Sequence, residues 1–142
     1  MTMLSQLLDL KGHDIHAVAP GAAVLDAIRI MAEAHVGALL VMEGGRLLGI
    51  VSERDYARKV VLMGRASNTT PVRDIMSSPV VTIGADGTVD DAMRLMTDHR
   101  IRHLPVVRGG AVTGVVSIGD LVKSVIEEQR HTIDELRSYI HG

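Results

Sequence analysis

The sequence has no cysteine, no tryptophan and no phenylalanine, and only Tyr56 and Tyr139 supply aromatic rings among its 142 residues. Without cysteine there is no disulfide framework, no thiolate-ligated zinc and no cysteine nucleophile, and the composition fits a reducing compartment. With two rings in the whole chain, the stacking platforms of single-strand nucleic-acid binders are missing, so any base held here lies between aliphatic side chains. Neither sign of charge dominates. The formal net charge is −2, with basic and acidic residues scattered along the chain, which gives no electrostatic footprint for a polyanion. No apolar run approaches the ~20 residues that cross a bilayer. The opening MTMLSQLLDLKGHD lacks the basic start and long apolar middle of a signal peptide. These absences lead to the expectation of a cytoplasmic protein that engages neither membrane nor nucleic acid. Its 46% apolar residues can supply a core for one domain of this length without metals or cross-links.

What the chain does contain is a repeat. Shifted by 65 residues, Leu7–Val61 falls on Val72–Ile126 without a gap, and 15 of the 55 pairs are identical. The identities include Asp26-Ala27 with Asp91-Ala92, Gly44-Gly45 with Gly109-Gly110, and Gly49, Val51, Ser52 and Asp55 with Gly114, Val116, Ser117 and Asp120. Two copies are too few for a solenoid, so a closed pseudo-symmetric pair is the better reading. In the second copy PVVTI (79–83) reads as a short strand. TVDDAMRLMTDHR (88–100) carries apolar residues at helical spacing, behind a capping box of Thr88 and Asp91. Two β runs around Gly109-Gly110 make a hairpin, and Ser117 opens a helix through about Gln129. The first copy gives a strand in DIHAV, a helix over Val24–His35, a hairpin around Gly44-Gly45, and a helix from Ser52 to about Met63.

The order β-α-β-β-α therefore occurs twice, an α+β architecture. The boundaries read as 1–63 for the first repeat with an N-terminal helix, 64–71 for a polar linker, and 72–130 for the second repeat. Residues 131–142 form a short C-terminal helix, capped by Thr132 and Glu135, whose apolar face needs either the body or a second subunit to cover it.

Each copy ends its hairpin in S-x-x-D, Ser52 to Asp55 and Ser117 to Asp120. Helix capping alone accounts for that spacing, with about 1 kcal/mol of stabilisation. A second account is chemical: a helix start offers free N–H groups to anionic oxygens, and a carboxylate one turn in can accept two hydrogen bonds from the vicinal hydroxyls of a ribose. The preceding Gly49 and Gly114 suit both accounts, since a strand glycine also marks close packing.

The doubled G-h-h-S-x-x-D phrase, the Gly-Gly hairpins and RIRHLPVV (100–107) resemble a tandem pair of cystathionine-β-synthase (CBS) domains, over nearly the whole chain from about Leu7 to Glu127. The resemblance implies two repeats packed through their sheets, with two clefts that take adenosine-containing ligands: AMP foremost, or ADP, ATP, NAD or S-adenosylmethionine. Carried over by position, Asp55 and Asp120 would hold ribose hydroxyls, and Ser52 and Ser117 would sit near ribose or phosphate. The first strands, Ile15–Ala17 and Val80–Thr82, together with Gly37, Ala38 and Leu40 and with Arg102, His103 and Pro105, would wall the base. Ile118 and Gly119 complete the second turn. The copies differ where Arg54 faces Gly119 in the alignment, and where Arg102 and His103 replace Gly37 and Ala38. Arg54 and Arg102 are candidates for phosphate recognition, whereas His103 suits a packing or backbone-bonding role.

The pairs His13 with His16 and His99 with His103 lack an evident third ligand, so no metal site is expected. The expected function is a regulatory module, a homodimer that reports adenine-nucleotide status to a protein partner in trans. Two alternatives stand beside it. One is a structural interaction domain with empty clefts; the other, an enzyme acting on nucleotide, lacks an activated nucleophile or acid–base pair in the sequence.

Overall fold

The computed structural model describes residues 2–141, arranged as two three-stranded sheets with helices against them. Helix α1 (Leu4–Lys11) precedes β1 (Ala17–Val18), α2 (Val24–Ala34), β2 (Ala38–Glu43) and β3 (Arg46–Ser52). A short α3 (Glu53–Tyr56) runs into a widened helical turn over Ala57–Val61, where the Leu62 N–H reaches the Ala57 carbonyl. The second set is β4 (Ile83–Gly84), α4 (Val89–His99), β5 (His103–Arg108), β6 (Ala111–Ser117) and α5 (Ile118–His141). In each sheet the first strand lies parallel to the second, which pairs antiparallel with the third; the orders are β1-β2-β3 and β4-β5-β6. The expected α+β class, twice β-α-β-β-α, is what the chain forms.

Local chemistry explains the matched parts. Both hairpins turn on two glycines with positive φ, +58° and +79° at Gly44-Gly45 and +59° and +80° at Gly109-Gly110. This is the turn whose twist suits antiparallel strands and which side chains resist. Thr88 and Asp91 form the expected capping box at α4: the Asp91 N–H donates to Thr88 Oγ1, and the Thr88 N–H to Asp91 Oδ2. Hydrogen bonding from the Thr88 N–H first, and from its hydroxyl second, holds the Asp91 carboxyl below its ordinary pKa.

Packing redistributes the repeats. One compact unit is Ile15–Val80; the other joins the first fourteen residues to Val81–Gly142. Leu4, Leu7 and Leu8 of α1 share a core with Val89, Ala92, Met96, Leu104, Val106, Val116 and Leu121, the second copy's residues. Conversely, Val72 and Ile75, which open the second repeat along the chain, are buried with Val24, Ala27, Met31, Leu39, Val41, Val51 and Val60 of the first. Each repeat lends its leading segment to the other's sheet. The repeat read along the chain and the unit formed in space are thus different cuts of the same molecule.

Three sequence expectations are corrected. The first strand is shorter than expected in both copies: DIHAV (14–18) shrinks to Ala17–Val18, paired with Leu40 and Val41, and 79–83 to Ile83–Gly84, paired with Val106 and Val107. In the first copy the Leu40 N–H donates to the His16 carbonyl; the aligned residue of the second copy is Pro105, which has no N–H to give, and there the strand starts one aligned residue later. The separate C-terminal helix is absent as well, because α5 runs unbroken through Thr132. Residues 127–131 contain no helix breaker, and the Thr132 hydroxyl donates back to the Glu128 carbonyl instead of capping. Third, the helix after Ser52 keeps regular α form for only four residues before the widened turn.

Along α5, Val122, Ile126, Ile133, Leu136, Tyr139 and Ile140 are exposed. Among the described residues the apolar face of the tail is left exposed.

Candidate functional site: two S-x-x-D turns at sheet ends

Ser52 ends β3 and caps α3. Asp55 N–H donates to Ser52 Oγ, while Asp55 Oδ2 accepts from both the Ser52 N–H at 2.9 Å and the Ser52 hydroxyl at 3.1 Å. Ser117 and Asp120 repeat this at the start of α5: Asp120 N–H donates to Ser117 Oγ at 3.2 Å, and Ser117 N–H to Asp120 Oδ2 at 2.8 Å. The end-capping account of the motif is therefore realised in both copies.

Around the first turn the sheet register gathers most of the candidates. Ala38 sits opposite Ser52, Ala17 opposite Leu40, and the Gly37 carbonyl accepts from the Glu53 N–H. Ile15 and Ala17 are exposed, Gly37 and Ala38 half-buried, and Leu40 buried. Arg54 lies exposed on the first turn of α3. In the second unit His103 sits opposite Ser117, Pro105 opposite Val115, and the Arg102 carbonyl accepts from the Ile118 N–H. Arg102 and Gly119 are exposed, His103 half-buried and Pro105 buried, while Ile118 packs against the core. Val80 is the last residue of the first sheet's unit and Thr82 belongs to the second's; both are half-buried and neither lies in a strand.

Sequence reasoning missed two lysines. Lys59 Nζ lies 3.2 Å from Asp55 Oδ1 and donates to the Ile75 carbonyl. Lys11 Nζ, at the end of α1, lies 2.8 Å from Asp120 Oδ2 and donates to the Val115 carbonyl. In the alignment Lys59 faces Ser124 and Lys11 faces Met76, so each carboxylate has its own ammonium, supplied from non-equivalent positions. Lys59 is visible in the sequence as an i,i+4 partner of Asp55. Lys11 leaves no such signal, since its partner is remote in the chain. Burial alone would raise the Asp120 carboxyl, but the Lys11 hydrogen bond, the Ser117 N–H and the Lys11 charge together hold it below the ordinary value.

The site has a polar end, built from serine, carboxylate and lysine, and an aliphatic flank on the neighbouring strands. Among the described residues no group of three metal-ligating side chains comes together, and no helix is long and apolar enough to cross a membrane.

Comparison with known proteins agrees with this arrangement. The CBS domain family model matches twice, at residues 9–62 and 72–127. The chain is 44% identical over 124 residues to the mitochondrial CBS domain-containing protein CBSX3 of Arabidopsis thaliana, matching 84% of this chain and 60% of that longer one. Its fold superposes on a putative signal-transduction protein with CBS domains from Burkholderia ambifaria with a TM-score of 0.86, at 50% identity over 90% of this chain and 96% of the other. A hexameric CBS-CP12 protein from bloom-forming cyanobacteria gives a TM-score of 0.76 at 28% identity, covering 86% of this chain and 70% of its own. The doubled turn, the two matched sheets and these likenesses make the chain a member of the CBS domain family, with two copies in tandem.

Proposed function

We propose that the protein is a regulatory module that binds an adenosine-containing ligand at its S-x-x-D turns, AMP first among them, and signals occupancy to a protein partner in trans. The observation that carries this reading is the matched pair of carboxylates, Asp55 and Asp120, each fixed at the end of a sheet beside half-buried aliphatic residues. Beyond the cap and the lysine, each carboxylate keeps acceptor capacity on Oδ1, to which a ribose diol can donate. Arg54 and Arg102, both exposed near the turns, would meet the phosphate bidentately. ATP, ADP, NAD and S-adenosylmethionine share the diol and compete for the same place. The module binds the nucleotide and leaves it intact, since carboxylates engaged with a diol do not readily attack.

Calorimetric titration of wild-type protein with AMP tests the proposal. Binding is expected, and the Asp55→Asn, Asp120→Asn double variant should weaken it by at least about tenfold, as loss of charge-assisted hydrogen bonds of ~1.5–3 kcal/mol implies. Unchanged affinity in the double variant would remove the proposal. A second reading has an observation in its favour: both carboxylates already serve as caps and ion-pair partners, so the turns work structurally without ligand. Silence of the wild-type protein towards all five compounds would establish that reading.

We also infer a homodimer, because the exposed apolar row on α5 from Val122 to Ile140 needs a covering surface. Light scattering at micromolar concentration is expected to give twice the 15.3 kDa chain mass, and a monomer mass would dismiss it.

A further inference from the structure

The two carboxylates are restrained in different ways, and the difference is a property of the fold. Asp120 Oδ2 accepts from the Ser117 N–H and lies 2.8 Å from Lys11 Nζ. A carboxylate oxygen has two in-plane acceptor positions, and on Oδ2 both are used. A diol that grips a carboxylate by both oxygens needs one of them.

The Ser117 N–H cannot leave without uncapping α5. Lys11 can, because its side chain is about one-third exposed and carries a flexible stem. In the first copy the corresponding ammonium, Lys59, comes from the same helical stretch as Asp55. Moving it gives up its bond to the Ile75 carbonyl as well, but the Ile50–Ser77 pair of backbone bonds still holds that segment to β3. Lys11 comes from α1, which the chain joins to this unit from its far end, so moving it loosens a junction between elements.

That junction is small and well defined. Beyond Lys11, the Gly12 N–H donates to the Leu8 carbonyl at 2.7 Å. His13 Nδ1 lies 2.8 Å from the Thr113 carbonyl, and its Nε2 lies 3.0 Å from Asp9 Oδ1. The Thr113 and Val115 carbonyls belong to β6, the outer strand of its sheet, and side chains from the end of α1 hold both. Covering an outer strand in this way also guards it against pairing with another chain. The core residues Leu4, Leu7 and Leu8 keep the body of α1 in place, so a lost Lys11 contact frees the end of the helix and the connector after it without unfolding the unit.

Resting on the function proposed above, we propose that Lys11 is a specificity-determining residue of the second site: it occupies Asp120 in the free protein, and ligand bound there displaces it and releases the α1–β6 junction. The two sites then differ in kind. Occupancy at Asp55 leaves the 75–78 segment held by the Ile50–Ser77 backbone bonds, whereas occupancy at Asp120 is transmitted to the N-terminal connector, a segment a partner can read.

Lys11→Met keeps the length and apolar stem while removing the charge. The expected result is tighter AMP binding at the Asp120-dependent site by about two- to fivefold, the range that a partly exposed ion pair of ~0.5–1 kcal/mol gives. In the wild-type protein, saturating AMP should speed hydrogen exchange of the Gly12 amide. It should also lower the His13 pKa, which the Asp9 side-chain bond and the Thr113 carbonyl bond now hold above its ordinary value. Both responses should vanish in Asp120→Asn, and a merely structural Lys11 would produce neither. AMP binding that needs Asp120, together with unchanged affinity in Lys11→Met and silent Gly12 and His13 signals, would overturn the inference and leave the proposed function standing. Binding that depends on Asp55 alone would overturn it too. Absence of AMP binding to wild-type protein is a separate outcome, in which the proposed function fails and takes this inference with it.

Discussion

Leu8→Ala is expected to destabilise the protein by about 2–5 kcal/mol, the usual cost of emptying a buried leucine site, and to lower the melting temperature by roughly 10 °C or more. Leu8 is 1% exposed in the core formed by α4, β5, β6 and the start of α5. It also fills the space over Gly114, where an added Cβ would lie 2.7 Å from Leu8 Cδ2. Little else can fill that volume if the side chain is cut back, because the neighbours Leu104, Val116 and Leu121 are themselves fully buried. The loss should be regional. Hydrogen exchange should accelerate in the unit built on β4–β6, while amides of β2 and β3, in the other core, keep their protection. Leu10→Ala supplies the contrast: two positions along the same helix, Leu10 is 86% exposed, and its removal should change stability by less than about 0.5 kcal/mol. A Leu8→Ala protein as stable as wild type would mean that α1 is not part of the second sheet's core.

That result also marks the limit of what a repeat alignment reveals. Periodicity identified both hairpins, α2 and α4, because their determinants are local: glycine pairs that accept positive φ, a threonine cap, apolar residues three and four apart. It could not identify where α1 packs. In the 65-residue shift Leu8 faces Arg73 and Lys11 faces Met76, so the leading segments carry no shared pattern, and their exchange between sheets is decided by tertiary burial. The same reason separates the two lysines. Lys59 stands one helical turn from Asp55 and can be read from spacing; Lys11 reaches Asp120 only once α1 has docked. The later start of the second copy's first strand was legible in principle, since Pro105 stands where the first copy has the Leu40 donor, whereas the two-residue length of both first strands follows from no local signal. The long α5 was equally so: a run without glycine or proline from Asp120 to His141 outweighs one Thr132–Glu135 pairing. At the site, the sequence located the carboxylates and their serines, and the fold added that both are already engaged.

The glycine of the repeated phrase suits both the capping and the ligand account of its motif and also marks close strand packing, and a single substitution tests the packing. Gly49→Val should destabilise by about 1–3 kcal/mol through overpacking. Propensity alone predicts the opposite sign, because valine suits a strand and glycine weakens one. Packing decides against it. A Cβ at Gly49 would lie 2.6 Å from Met76 Sδ and 3.0 Å from the Ser77 carbonyl oxygen. The methionine could swing aside, but the carbonyl is fixed: Ile50 and Ser77 exchange both backbone hydrogen bonds, at 3.1 and 2.9 Å. Accommodating valine therefore means pushing the 75–78 segment off β3, which strains the Lys59 bond to the Ile75 carbonyl and, through Lys59, the setting of Asp55. Gly21→Ala is the matched control. Its Cβ would meet only Arg73 Nη1 at 3.5 Å, an ordinary contact in an exposed turn, so the change should be neutral or gain a few tenths of a kcal/mol from a stiffer unfolded chain. Denaturant titration of both variants reads the difference directly, and a Gly49→Val protein at or above wild-type stability would show that the second segment does not lie on β3 as described.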